Sequence, residues 1–413
     1  MFKLIRLPKY LEKLIIELQL FFDDTQWLHF SSLLISLIIT PYKSTINGMV
    51  KVLGFGTHRS RHNAFLLNSS EVLIKALRFY AYFILEILKK LGEPIYFIID
   101  DTSNKKRGKH IDGTYKYFDH ISQKYIWGQQ IVCSVILYRN ITIPFGFAIY
   151  LREEQCKELG VKFRKKTEIA LELIKSFEVD SNQTVYILAD TYYATKDIIN
   201  YSRLKKHNFI SQLKSNRVFY ITRPNGIEHQ TNVRKYLKNK SFKYKQRFRI
   251  GKNTYRAFSK KVNLKTGGVV KIVLTKCSAH RTATVLFSTN TALPIYTIME
   301  AYNKRWKIEI FFKMSKQHLG FNAYQNTDIR AINSHLCLSM FSHNLLTHAF
   351  INELRAKGKS LTRKNISNFS ILDMQNKFRF ASNLCTFDHC VEQSDIILKN
   401  KIKKEFKKYL VAA

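Results

Sequence analysis

The stretch PIYFIIDDT, residues 94–102, decides the fold class. Six uncharged, mostly apolar residues lead into two adjacent aspartates, which predicts a buried strand whose C-terminal edge presents carboxylates. A second stretch, TVYILADTYYA at 184–194, repeats the pattern and ends its apolar run at Asp190. Between them, QQIVCSVILY and ITIPFGFAIYL predict two strands joined by the polar pair Arg139–Asn140, a hairpin. A charged helix is predicted over roughly 162–177, another over ATKDIINYSRLKKHN, and a strand at FISQLK. A hairpin followed by a strand–helix–strand unit predicts an α/β layer with a mixed sheet.

Working outward, residues 1–92 predict helices, with a basic turn at KVLGFGTHRSRHN that suits either DNA contact or helix packing. Residues 215–298 contain YKQRFRI, TYRAFSKKVNL, VVKIVLTK and TATVLFST, a β-rich insertion punctuated by GK and TGG turns. Helices return over 299–350, and residues 351–413 form a basic, weakly patterned C-terminal region. The expected organisation is therefore a helical region (1–92), a first core segment (93–214), the insertion (215–298), a helical completion of the core (299–350) and the basic tail (351–413).

Charge narrows the function. The chain carries 68 Lys+Arg against 30 Asp+Glu, a formal +38, spread along its whole length. A folded chain with that excess repels itself unless its usual partner is a polyanion, which points to nucleic acid. An anionic membrane normally needs an amphipathic anchor, and none is evident. The run WLHFSSLLISLIIT is too short to span a bilayer and ends at Pro41. The charged N-terminal stretch does not read as a signal peptide. Six scattered cysteines without a CxxC pair predict neither a disulfide framework nor a zinc site, and fit a reducing cytoplasm.

Against this basic background three acidic positions stand out: the Asp100–Asp101 pair, Asp190 and Glu309. Carboxylates at strand ends plus one from a helix packed on the sheet suit Mg²⁺, which takes oxygen ligands and keeps positions for water and phosphate. Each acid alone is equally a turn former or helix cap. Spacing around Glu309 strengthens the case. In AYNKRWKIEIFFKMSKQHLG (301–320), at about 100° per residue from Tyr302, Arg305 falls near −60°, Glu309 near −20° and Lys316 near −40°. The four share a narrow strip, expected to face inward between Ile308, Phe312 and Leu319 on one side and Trp306 and Ile310 on the other. Asn303, Lys304, Lys307, Ser315 and His318 fall on the opposite face, expected to be solvated. A structural salt bridge at Glu309 is the alternative.

The spacing Tyr302-x2-Arg305-x3-Glu309-x6-Lys316 resembles the Y-R-E-K signature of DDE transposases from bacterial insertion sequences, the IS-four-like group. The DDT at 100–102 with its KKRGKH follow-on, and ADTYYA at 189–194, resemble that group's two Asp motifs. The resemblance spans residues 95–320 and includes the β-rich insertion. It implies a ribonuclease H-like core, two Mg²⁺ or Mn²⁺ ions, and cutting and rejoining of double-stranded DNA at an element's terminal inverted repeats. It further implies action as a homodimer on DNA in the bacterial cytoplasm, at the nucleoid. By position, the catalytic acids would be Asp100 or Asp101, Asp190 and Glu309. The metal ligands would be Asp100, favoured by a D-x-T pattern, with Asp190 and Glu309. Tyr302, Arg305, Lys316 and Lys109 would hold DNA. Two other functions fit the same residues: a metal-dependent nuclease without strand transfer, and a catalytically silent, transposase-derived DNA-binding protein.

Overall fold

The computed structural model describes residues 9–392, apart from 55–57, 90–91, 109, 120–121, 223–225, 227, 239–245, 279–282 and 368. Lys109 and the basic stretch KNKIKKEFKKYL therefore lie outside the described residues. Two compact units share the chain. One is helical and comprises residues 1–84, 110–112 and 312–413; the other is built on a sheet and comprises 85–109 and 113–311.

The helical unit draws on α1 (Lys9–Ile15), α2 (Asp24–Ile39), α3 (Ile46–Val50), α4 (Arg59–Asn68) and most of α5 (Ser70–Leu88). Asp23 starts α2 with a capping box, its side chain accepting from the Gln26 amide at 2.8 Å while Gln26 reaches back to the Asp23 amide. Far along the chain, α12 (Ile329–Ala356) supplies the axis of the unit. It is buried on every face from Ala331 to Ile351, with few breaks, and packs against α2 and α4.

The sheet unit follows the sequence outward from PIYFIIDDT. In order come β1 (Ile95–Lys105), β2 (Tyr115–Asp119), β3 (Lys124–Tyr138), β4 (Ile141–Ile149), α6 (Glu153–Glu158), α7 (Lys166–Lys175) and β5 (Val185–Ala189). Next are α8 (Lys196–Leu204), β6 (Asn208–Gln212), β7 (Val218–Thr222), β8 (Glu228–Asn232), α9 (Val233–Lys238) and β9 (Gln246–Ile250). The unit is completed by β10 (Asn253–Leu264), β11 (Gly268–Cys277), β12 (Thr284–Ser288), α10 (Ile295–Lys304) and the start of α11 (Trp306–His318). Two further helices, α13 (Arg363–Ile366) and α14 (Ile371–Glu392), belong to the helical unit, so the weakly patterned tail contains a 22-residue helix.

The strands form one mixed sheet. The order β4-β3-β1-β5-β6, with β4, β3 and β1 antiparallel neighbours and β5 and β6 parallel to β1, is that of a ribonuclease H-like core. The expected hairpin joins β3 to β4 through Arg139 and Asn140, both at positive φ (47° and 68°), the twist a two-residue turn needs. Residues 215–298 continue the same sheet. β12 pairs antiparallel with β6, and β11, β10, β7 and β8 follow in turn, with β9 against β10.

Both faces of the central strands are covered, which explains their unbroken apolar runs. Phe97 stacks on Phe177 just past α7, at 4.6 Å between ring centroids, whereas its neighbour Tyr96 lies under the Lys304 ammonium of α10. Successive side chains of a strand point to opposite faces. Hence α7 covers the face of Phe97, Ile99 and Asp101, and α10 covers the face of Tyr96, Ile98 and Asp100.

Two expectations need correction here. β1 does not end at the aspartates; it runs on to Lys105, paired with β3 throughout, so Asp100 and Asp101 lie in mid-strand. Its pairing with β5 does end there, at Ile99 opposite Ala189, and that opens the sheet beside the acids. Gly128 permits the extension, because a Cβ there would fall 2.2 Å from the Asn104 carbonyl oxygen. The inward strip of residues 302–316 also differs from expectation. Ser315, expected on the solvated face, is fully buried, while Trp306 and Ile310, expected as apolar shoulders, are 58% and 40% exposed. The cause is a tightened turn at Arg305, where Arg305 N–H bonds Tyr302 O and Ile308 N–H bonds Arg305 O. Such i→i+3 turns wind about 120° per residue, so a single 100° count does not carry across them.

Candidate active site

The site is built where β1 outruns β5. Beyond Ile99–Ala189, the next residues on the two parallel strands are Asp100 and Asp190. Paired residues of parallel strands point to the same face, so these two carboxylates stand side by side on the α10 face. Asp190 caps the short 3-10 turn Thr191–Tyr193 by position only, since its side chain makes no capping bond; its Oδ1 accepts instead from the Thr191 hydroxyl at 3.1 Å. Asp100 and Asp101, inside a strand, do not cap a helix either.

Arg305 brings the third acid in. Its guanidinium donates to Asp100 Oδ2 at 2.7 Å and to Glu309 Oε1 at 2.7 Å, tying a strand carboxylate to one a turn further along the helix. The Arg305 and Asp100 side chains are only 16% and 17% exposed. Burial therefore works against the Arg305 charge, and Asp100, Tyr302 and Glu309 more than restore it, raising its pKa. Asp100 is driven the other way. Burial pushes its carboxyl up to about 7, Arg305 pulls it down in part, and Asp101 and Asp190 add repulsion. Tyr302 lies beside the cluster, with its ring 5.9 Å from the Arg305 guanidinium and its hydroxyl 3.5 Å from Gln212 Oε1.

Asp101 occupies different surroundings on the opposite face. Its Oδ1 accepts from the Tyr193 hydroxyl at 2.8 Å and its Oδ2 from the Lys166 ammonium at 2.7 Å. Sequence reasoning missed both partners, which lie 92 and 65 residues away. The only available signal was the aromatic pair Tyr192–Tyr193, which follows Asp190 after Thr191. Lys316 sits half-buried in the last turn of α11 and falls in the helical unit.

The donor set tests whether a metal fits. Among the described residues, no three His, Cys, Asp or Glu side chains converge closely enough to form a ready-made cage. The Arg305 guanidinium lies between Asp100 and Glu309 and serves as their counter-charge. The chemistry nonetheless suits a hard cation. Every donor is a carboxylate oxygen, and the Asp100 carboxylate is buried with Asp101 and Asp190 as like-charged neighbours, surroundings that a bound cation would relieve.

Comparison with known proteins adds an independent line. The profile of a family described as a DDE superfamily endonuclease matches residues 18–249, and that of a transposase DDE domain matches residues 164–345. Among curated proteins, the chain is similar to the probable transposase for insertion sequence element IS701 of Microchaete diplosiphon. The two are 28% identical over 212 residues, which is 51% of this chain and 55% of that protein. The match thus spans about half the length of the relative.

Proposed function

Because the chain belongs to the DDE endonuclease superfamily, whose profile covers more than half of it, we propose that it is a DNA transposase of an insertion sequence. It cuts the element at its ends by phosphodiester hydrolysis and joins it to target DNA by transesterification. The observation that carries this reading is the pair of hydrogen bonds from Arg305 to Asp100 and Glu309. They unite the first and last acids of the sequence pattern beside the sheet opening, where Asp190 directly follows β5.

Asp100, Asp190 and Glu309 are the proposed ligands of Mg²⁺ or Mn²⁺, two ions in the full site. Divalent ions there supply Lewis acidity and a nucleophile usable at neutral pH. The chain's own groups do the rest. Arg305, a planar fork, grips a phosphate flanking the scissile bond, and Lys316, a point charge, binds the DNA backbone. Tyr302 and Lys109 complete the backbone contacts. Fixing the DNA in line with the carboxylates supplies most of the rate enhancement, and no covalent enzyme intermediate is required.

Duplex DNA as partner is supported by the charge of +38 and by the surface of β9–β11. Arg247, Arg256 and Lys276 lie directly opposite one another across these three strands, all exposed. Like charges in register destabilise a sheet, and a phosphate backbone relieves the repulsion. Joining two ends in one reaction calls for at least two copies, so the working species is a homodimer on DNA at the bacterial nucleoid.

The test is incubation of the protein with Mg²⁺ or Mn²⁺ and labelled duplex bearing its own element ends. Cleavage followed by joined products is expected. Cleavage without joining would replace the proposal with a nuclease, and tight binding without cleavage would leave a silent DNA-binding protein.

A further inference from the structure

Asp101 sits one residue from a proposed metal ligand, yet both of its carboxylate oxygens are committed elsewhere. Lys166 opens α7, directly after the N-cap Lys165. A cation is unfavourable at a helix N-terminus, so the local structure of α7 does not account for it. The Asp101 carboxylate, 2.7 Å away and 24% exposed, does. Tyr193, fully buried, reaches Asp101 from the other side. Its backbone N–H closes the 3-10 turn on the Asp190 carbonyl at 3.0 Å.

These bonds fall where the backbone ladder gives out. The β1–β5 pairing stops at Ile99 opposite Ala189, one residue short of the two aspartates. From there on, side chains must hold the Asp190 turn against β1. The chain of contacts runs from Asp101 Oδ1 to the Tyr193 hydroxyl and then from Tyr193 N–H to the Asp190 carbonyl, with Lys166 anchoring Asp101 Oδ2.

We infer that Asp101 is a positioning residue, part of an Asp101–Tyr193–Lys166 strut on the α7 face that fixes the separation of Asp100 and Asp190 on the opposite face. The inference rests on the proposed function above, in that it assigns Asp100 and Asp190 to the metal. It divides the adjacent aspartates by role: one faces the chemistry, and the other braces the turn that carries its partner.

The experiment compares Tyr193→Phe, Asp101→Asn, their double variant and Asp100→Asn in the full-length protein. It reads Mn²⁺ affinity without DNA, by the paramagnetic resonance signal of free Mn²⁺, together with kcat and KM on end-bearing duplex and the thermal midpoint. Outer partners of a metal site typically cost about 10–100-fold in metal affinity or activity when removed. Tyr193→Phe and Asp101→Asn are each expected to weaken Mn²⁺ binding and lower kcat within that range, with KM for DNA unchanged. The double variant is expected to be no worse than the poorer single one, because both changes break the same strut. Asp100→Asn is expected to lose Mn²⁺ binding outright.

Two results would overturn the strut: Tyr193→Phe with wild-type Mn²⁺ affinity, whatever its melting temperature, or Asp101→Asn as deficient in Mn²⁺ binding as Asp100→Asn. Should Asp101→Asn fail to fold, Tyr193→Phe alone decides. If wild-type protein binds Mn²⁺ but cuts no end-bearing duplex, the functional reading fails separately, and the Mn²⁺ series still decides the strut.

Discussion

Asp100 and Asp101 show how little a residue's identity says about its task. They are chemically identical neighbours, and strand alternation alone sends one to Arg305 and the other to Lys166 and Tyr193. The acids themselves were legible in the sequence, because an acid that ends an apolar run in a chain this basic stands out. Their partners were not, since contacts across 65 to 205 residues leave no local trace. Arg305 carries the clearest prediction at this scale. Replacing it with Ala leaves Asp100 and Glu309 facing each other without their shared counter-charge. Removing one partner of a buried ion pair typically costs about 3–5 kcal/mol, and the partial exposure of Glu309 puts this case at the lower end. Metal-free Arg305→Ala should therefore unfold in denaturant with about 3 kcal/mol less stability than wild type. A second substitution, Asp100→Asn, should recover part of that loss by removing the buried charge.

At the scale of elements, the sequence predicted strands and helices well where one period governs and poorly where it changes. β5 and the β3–β4 hairpin appear as their patterns require. The helix around Glu309 does not keep one phase, because the tight turn at Arg305 interrupts the 100° count, and the sequence carries no proline or glycine to announce it. β1 outran its expected end because hydrogen bonding to β3, not hydrophobicity, sustains Ser103–Lys105. In the helical unit, burial of histidines gives a prediction of its own. Burial, with His29 close by, holds His62 down to about 4; burial also lowers His343 to about 3 and His348 to about 4. These values lie below the ordinary 6.5, so below that pH the unfolded chain takes up protons that the folded chain refuses. Stability is then complete above about pH 6.5 and falls as pH drops from there toward 4, by about 1.4 kcal/mol per pH unit for each histidine. The unfolding midpoint of the helical unit should drop steeply between pH 6.5 and 4.5. Burial lowers His29 as well, and replacing His62 with Gln should flatten that slope by about 1.4 kcal/mol per pH unit, its own share of it.

Across the whole molecule, composition pointed to a polyanionic partner and the resemblance to the proposed reaction. What neither could give is how a site assembles from pieces of chain more than 200 residues apart. Asp100 and Asp190 come to one sheet edge because β5 inserts beside β1, and Glu309 of α11 is tied to Asp100 through Arg305, a consequence of sheet topology. The strands of residues 215–298 then extend that sheet past β6 and display the cross-strand cations Arg247, Arg256 and Lys276. In the proposed site a helix-borne carboxylate, Glu309, completes what Asp100 and Asp190 begin at the sheet edge. The most direct test is Mg²⁺-dependent cleavage of end-bearing duplex by Glu309→Gln, with DNA affinity measured on the same preparation. Cleavage should fall by about a thousand-fold or more while affinity stays near wild type. Cleavage at the wild-type rate would contradict the account and return Glu309 to the role of a structural ion pair.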